Sequence, residues 1–542
     1  MNPPLSFFVL LLTCSLSEPL FAQQLHSVID AQIEAATNKP IAPPSTDSEF
    51  VRRIYLDLTG QIPTSQEALQ FINDSSRAKR QTLIDKLLQD DRYSRRMSDA
   101  FNVMLMERRG VDPDWQAFLS HSFQNNIAWD QMVSSMVFPD EQNEQTRGSA
   151  YFLTKRLEKY GQNPTDFPGL ARDIGRMFLG MDLACAQCHD HLFIDDYKQA
   201  DFQGLFAFIN NSFIRRDTDY PAIGMKPVKT KLAFNSVFEE GEFSTGPKLP
   251  GLDEIPIPEF ATGEEFATPP NKETKAPGVP KFNPLKFLAE QLPTQANDSF
   301  NLNAANRIWF LMMGRGIVHP LDLHHSDNPA SHPKLLQLMA EAFAAHDYDI
   351  KWLVREIALS ATYQRTSMVT IGLEDAKPSE YRLFHEKPMS AEQLMWSMIT
   401  ATGHLQHIPD TTNTSTSQTD DEQDQLPLGL DDIRADFLSA FANPPREPET
   451  EFAPSVRGAL FVLNGPRVLD WLEARPDNLT AKLETLETGF ATPLYLAVLS
   501  RKPTQEEADK FNQYIESQSD KSTAIKQAIW ALLASNEFAI NH

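Results

Sequence analysis

Residues 48–64 read Ser-Glu-Phe-Val-Arg-Arg-Ile-Tyr-Leu-Asp-Leu-Thr-Gly-Gln-Ile-Pro-Thr. Phe50, Ile54, Leu56 and Leu58 supply apolar positions for a helix, and Gly60 and Pro63 end it. Directly after, Thr64-Ser65-Gln66-Glu67 has the form of a capping box, with Thr64 accepting an amide and Glu67 reaching back. The same grammar extends upstream. Leu25, Val28, Ile29 and Ile33 line one face of a short amphipathic helix, and residues 40–46 form a proline-rich break. Downstream, residues 80–88, 93–106 and 115–136 continue as helices, punctuated by Gly110 and Pro113. Pro168, Leu170, Ile174, Met177, Phe178 and Met181 recur at helical spacing, which predicts a helix running up to Cys185.

Between residues 216 and 282 the texture changes. Ten prolines interrupt this stretch, and short alternations between Met225 and Glu242 suggest a few strands or a hairpin. Helical patterning returns at Asn283 and continues to the end. It is broken by residues 411–425, which contain no apolar residue and read as a solvated acidic loop. The expected fold is therefore mainly α. A helical domain over 23–215 and a second over 283–542 are separated by a proline-rich insert with a few β-strands.

The chain has 542 residues, with 73 Asp+Glu against 49 Lys+Arg and a formal charge of −24. At roughly 150 residues per domain this length allows three or four units or two large ones. Apolar residues at 41% supply several cores and exclude wholesale disorder. The acidic balance argues against nucleic acid, since phosphate binding relies on clustered Lys and Arg. Three cysteines exclude a disulfide scaffold.

Leu5 to Leu16 form an apolar run, followed by Pro19 and Ala22. The run is shorter than the ~20 residues that span a bilayer. It fits a secretory signal over residues 1–22 with cleavage before Gln23. Cys14 is a poor lipidation candidate, because Leu11-Leu12-Thr13 lacks the small residues expected before such a cysteine. The expectation is an exported protein, periplasmic or at the cell surface, with no transmembrane segment in the mature chain. Cleavage would leave two cysteines, Cys185 and Cys188.

Those two lie in Cys185-Ala186-Gln187-Cys188-His189, the CxxCH pattern of covalent c-type haem attachment. Thiols three residues apart meet the two vinyl groups on one porphyrin edge, and the following histidine reaches the iron. Cys185 and Cys188 thus read as haem attachments and His189 as the proximal iron ligand. Covalent haem assembly outside the cytoplasmic membrane agrees with export. The alternatives stay open: zinc held by Cys185, Cys188, His189 and His191, or a disulfide between the cysteines. The four ligands fall within seven residues, where zinc sites usually draw on two separated pairs. A thioredoxin-type βαβ context is absent.

For a distal or second-site ligand the sequence offers His191 and the group His319, His324, His325 and His332. Met312 and Met313 are possible axial donors that read better as helix core. No phosphate-binding loop, nucleophile elbow or metalloprotease motif occurs. No substrate, reaction or redox partner can be named from these residues.

Several motifs together resemble a known pairing. Phe50 to Gly60 with Ile62-Pro63-Thr64, and Cys185 to His191, are similar to the first of two paired domains of unknown function in planctomycete-type cytochrome c proteins. Ala305 to Trp309, Gly314 to Val318, Ser331-His332-Pro333, Ser360 to Gln364, Leu499 to Thr504 and Phe538 to His542 are similar to the second. The resemblance covers nearly all of the expected mature chain. It implies an exported, largely helical protein with a CxxCH site and no known reaction; the leading expectation from the motif itself is a mono-haem c-type protein that transfers electrons or serves an oxidoreductase system. The alternative is a non-redox binding scaffold with a structural metal at the CxxCHxH sequence. Two stretches depart from the family pattern. Leu192-Phe193-Ile194 and Tyr197 stand where Pro-Phe-Asp and a Trp are usual. Leu323 to Ser326 stand where an acidic pair, Phe and Gly are usual.

Overall fold

A computed structural model describes residues 24–159, 165–408, 429–449 and 455–542. The expected signal segment, Cys14 and the acidic loop 411–425 lie outside the described residues. Helix takes 53% of the structure and strand 6%, so the fold is mainly α.

The helix read from the opening stretch spans Asp47–Thr59. Thr46 caps it by accepting from the Glu49 amide, and Gly60 ends it at φ 72°. The predicted box comes next, with Thr64 Oγ1 accepting from the Glu67 amide and Glu67 accepting from the Thr64 amide at 2.8 Å. An apolar stripe predicts one buried face, yet every residue from Glu49 to Thr59 is buried. Phe50, Val51, Ile54, Tyr55 and Leu58 belong to one apolar cluster, and Leu56 belongs to another.

The polar residues of this helix are buried with partners. Arg53 donates to the carbonyls of Tyr363 and Arg365 and pairs with Glu49 at 2.6 Å. Arg52 donates to the carbonyls of Val498 and Phe538. Asp57 accepts from Tyr363 and Asn541 and pairs with Lys387 at 2.7 Å. Such partners are what make buried charge tolerable, and Arg52 Nε alone of these guanidinium and carboxylate atoms is left without one.

The two clusters divide the chain differently from the insert. The first joins helices from Leu25–Ala35 through Gln199–Ile209 with Asp298–Met313, Pro333–Ala345 and Ile350–Leu359, ending at Phe384. The second runs from Met389 to Phe538 and adds Leu56 and Ile62. Apolar packing therefore changes hands near residue 385, since the helix after the insert packs back into the first core. Met312 and Met313 are buried in that core at the end of Asp298–Met313.

In the insert, and just ahead of it at Ser212–Ile214, the strands are short antiparallel pairs. Ser212–Ile214 pairs with Ile223–Met225, Leu232–Phe234 with Phe243–Thr245, and Phe266–Thr268 with Val279–Pro280. A fourth pair, Lys387–Pro388 with Ile540–Asn541, joins the start of the second cluster to the far end of the chain.

Two helix predictions need correction. Residues 115–136 are not one helix but two, Pro113–Gln124 and Trp129–Val137, interrupted where Asn126 takes φ 50°. The helix before the cysteines spans Phe167–Ile174, widens into a π turn over Gly175–Leu179 and stops at Gly180, short of Cys185. Met181 belongs to an extended bridge with Leu323 instead.

Candidate functional site

Gly180 sets the site. It takes φ 69°, and a side chain there would meet His324 Cδ2 at 2.7 Å and Asn303 Oδ1 at 3.0 Å. The absence of a side chain lets two distant segments run side by side. His324 donates its amide to the Gly180 carbonyl, and Asp182 donates to the Asp322 carbonyl, both at 2.9 Å. Ala184 then bonds the Asp182 carboxylate, and Cys185–Gln187 closes as a 3-10 turn.

That turn is pinned from several sides. Ala186 is buried beneath it. Gln187 accepts from Arg172 on its side chain at 2.6 Å and from Gln203 on its carbonyl at 2.9 Å. The insert covers the next residue, with Val237 donating to the Cys188 carbonyl at 3.1 Å. Cys185 and Cys188 nevertheless remain exposed, and both thiols are free. Leu192, Phe193, Val237 and Phe238 are all exposed, and the Phe238 ring lies 4.8 Å from that of His189.

Hydrogen bonds separate the two histidines of the motif. His189 Nδ1 lies 2.6 Å from the Asp190 carbonyl, an oxygen that can only accept. Nδ1 therefore carries the proton and Nε2 keeps its lone pair, the usual orientation of a histidine that ligates a metal. His191 is the reverse. Its Nδ1 accepts from the amides of Phe193 and Ile194, so the neutral ring carries its proton on Nε2. The lone pair of His191 is engaged in holding the loop.

The histidines of the second half separate in the same way. Tyr197 donates its hydroxyl to the His324 carbonyl, and its ring meets His325 edge-on at 5.5 Å. The two stretches that depart from the family pattern therefore touch each other. Burial, then the nearby Arg307, pushes His324 down to about 4, and Asn306 lies 3.3 Å from its Nε2. His325 reaches the cysteine loop with a buried Nδ1 that has no hydrogen-bond partner. His332 stands apart, beside Ser331 and against Tyr381, and His319 stacks near Phe310. Among the described residues no group of three or more His, Cys, Asp or Glu is arranged to hold a metal ion.

Beneath the turn lies a buried ionic network absent from the sequence expectations. Arg176, on the π turn, bridges Glu107, Asp173 and Asp322 at 2.8–2.9 Å. Arg307 pairs with Asp322 and donates to the Arg176 carbonyl. Burial alone would push the Asp173 carboxyl up, but Arg156, Arg109 and Arg176 together hold it down at about 2. Arg176 lies within the π turn, and its guanidinium reaches Asp322 across 146 positions. Gly180 at the end of an apolar stripe was a readable signal for the helix stop.

Comparisons with known proteins divide the chain at the insert, not near residue 385 where the apolar packing divides. Residues 24–213 match the family model PSCyt2, described as a protein of unknown function (DUF1549). Residues 286–515 match PSD1, likewise a protein of unknown function (DUF1553). No match is found among curated proteins or among solved structures. The cysteine turn belongs to the first matched segment and the loop seated on Gly180 to the second. Two domain models of unknown function, DUF1549 and then DUF1553, thus match this chain in tandem.

Proposed function

We propose that the chain is an exported c-type haem protein, periplasmic or at the cell surface, that transfers electrons or serves an oxidoreductase system. One observation carries this reading: two free, exposed thiols on a single turn are followed by a histidine whose hydrogen bond leaves Nε2 available. Cys185 and Cys188 would each add S–H across a vinyl group, sulfur bonding one carbon and hydrogen the other, so no oxidant is consumed. His189 would be the proximal ligand. Leu192, Phe193, Val237 and Phe238 supply apolar surface around the turn for a porphyrin edge, and His325, whose ring meets Tyr197 of the same loop, would be a candidate second ligand. When bound, haem supplies one-electron chemistry, with the axial ligands and solvent exposure as the levers on its potential.

The zinc-scaffold alternative has less support, because His191 would have to give up two backbone hydrogen bonds to offer a lone pair.

The test is expression in a host with haem-maturation machinery. Covalent haem is expected at one iron per chain, with visible bands that vanish in Cys185→Ala/Cys188→Ala and persist in His191→Ala. Wild type that carries no covalent haem, or one zinc in place of iron, overturns the proposal.

A further inference from the structure

A cavity of about 220 Å³ opens where the two apolar clusters meet. It is lined by residues of helices Asp91–Met106 and Asp298–Met313 and by residues 387–393 and 441–449. Its wall is mainly apolar, with Met104, Ile308, Leu311, Leu321 and Met389 among its members.

Eight charged residues also reach this cavity, and seven of them are already engaged. Asp99 is held by Arg434, and Glu392 and Glu449 by Arg108. Glu107 is held by Arg109 and Arg176, and Asp322 by Arg176 and Arg307. Lys387 is held by Asp57 and by two main-chain carbonyls.

Arg96 is the exception. It is 8% exposed, its Nε has no hydrogen-bond partner, and no carboxylate among the described residues forms an ion pair with it. Asp57, Asp99 and Glu392 act on it electrostatically, but each is bonded to another cation. Its stem is fixed by Gly60, whose missing side chain would stand 3.1 Å from Arg96 Cδ. A buried, unpaired guanidinium costs free energy that a matching anion would recover.

We propose that this cavity binds a small organic carboxylate, with its two oxygens facing the Arg96 guanidinium and its apolar body against Met104, Ile308 and Leu311. The fork of a guanidinium matches a carboxylate in two parallel hydrogen bonds. A cation would find every lining acid already neutralised. A purely apolar guest would leave Arg96 unpaired, and a phosphate dianion would lack a second free cation. Size agrees as well, since an engineered apolar cavity of roughly 150 Å³ takes benzene. This site stands independently of what is attached at Cys185 and Cys188.

Binding of hexanoate and benzoate to the full chain, measured by calorimetry and thermal shift beside hexanol and benzamide, tests it. The carboxylates are expected to bind and raise the melting temperature while the neutral isosteres do not. Arg96→Gln should weaken binding on the order of tenfold or more. Should Arg96→Gln fail to fold, Met104→Trp provides the test, filling the cavity with Arg96 intact and abolishing the effect. Cys185→Ala/Cys188→Ala should bind as wild type does, which separates this site from haem attachment. Equal response to the neutral isosteres, unchanged affinity in Arg96→Gln or Met104→Trp, or no binding of either carboxylate overturns the proposal.

Discussion

Helix Asp47–Thr59 and the loop from Cys185 to Tyr197 treat polar and apolar groups in opposite ways. The helix takes Arg52, Arg53 and Asp57 to 0–1% exposure, while the loop leaves Leu192 at 63% and Phe193 at 82%. Buried charge is costly unless fully partnered, and in the helix these side chains find partners on distant segments. That is the signature of a structural keystone. Single exposed apolar residues are ordinary, but here four of them lie around one pair of free thiols. Charge partnered across the fold in the first region and free thiols beside exposed apolar side chains in the second separate what holds the molecule together from what it presents.

The sharpest way to break this contrast is Asp57→Ala. It removes a carboxylate that serves Tyr363, Asn541 and Lys387 at once and strands the Lys387 charge. A loss of about 3–5 kcal/mol is expected in chemical denaturation. Adding Lys387→Met should restore part of it, because the stranded charge is then gone.

A smaller effect should appear with pH in the same region. Burial, then Arg52, pushes His542 down to about 4 from an ordinary 6.5. Above 6.5 neither state is protonated, and the contribution to stability is fully present. As pH falls from 6.5 to 4 the unfolded chain takes up a proton that the folded chain refuses, so stability drops. His542→Gln should flatten that fall by about 2 kcal/mol, allowing for partial exposure of the ring. Denaturation midpoints of both proteins between pH 4 and 7 check the sign.

Least disruptive should be Phe193→Ser with Phe238→Ser. Both side chains are exposed, so stability should stay within about 0.5 kcal/mol of wild type. The same variant should reduce the yield of covalent haem in a maturing host, measured as absorbance per chain. A large stability loss here would erase the distinction between the two regions.

The cysteine motif was visible in the sequence because its spacing is local, although the helix expected to run up to Cys185 ends at Gly180. Two thiols and a histidine within five residues need no tertiary knowledge to be noticed. Their setting was not legible. The π turn that carries Arg176, the contact between Gly180 and His324, and the amide of Val237 over Cys188 depend on segments far apart in the chain. The difference between His189 and His191 was equally hidden, since it rests on which atoms happen to face each ring nitrogen.

The amino-acid sequence by itself determined the helical class, the capping box at Thr64, the short strands of the proline-rich insert and the pairing of two domains of unknown function. Each of these arises from spacing within a few residues, where backbone geometry dictates the period. Tertiary structure alone decided where the core divides, near residue 385, and what the charges of the opening helix are for. Arg52 meets Phe538 across 486 positions, and Asp57 meets Asn541 across 484. No local pattern encodes such partners. They arise because a buried charge must find its counterpart wherever the fold brings one, and Arg96 is left facing a cavity where the fold brought none.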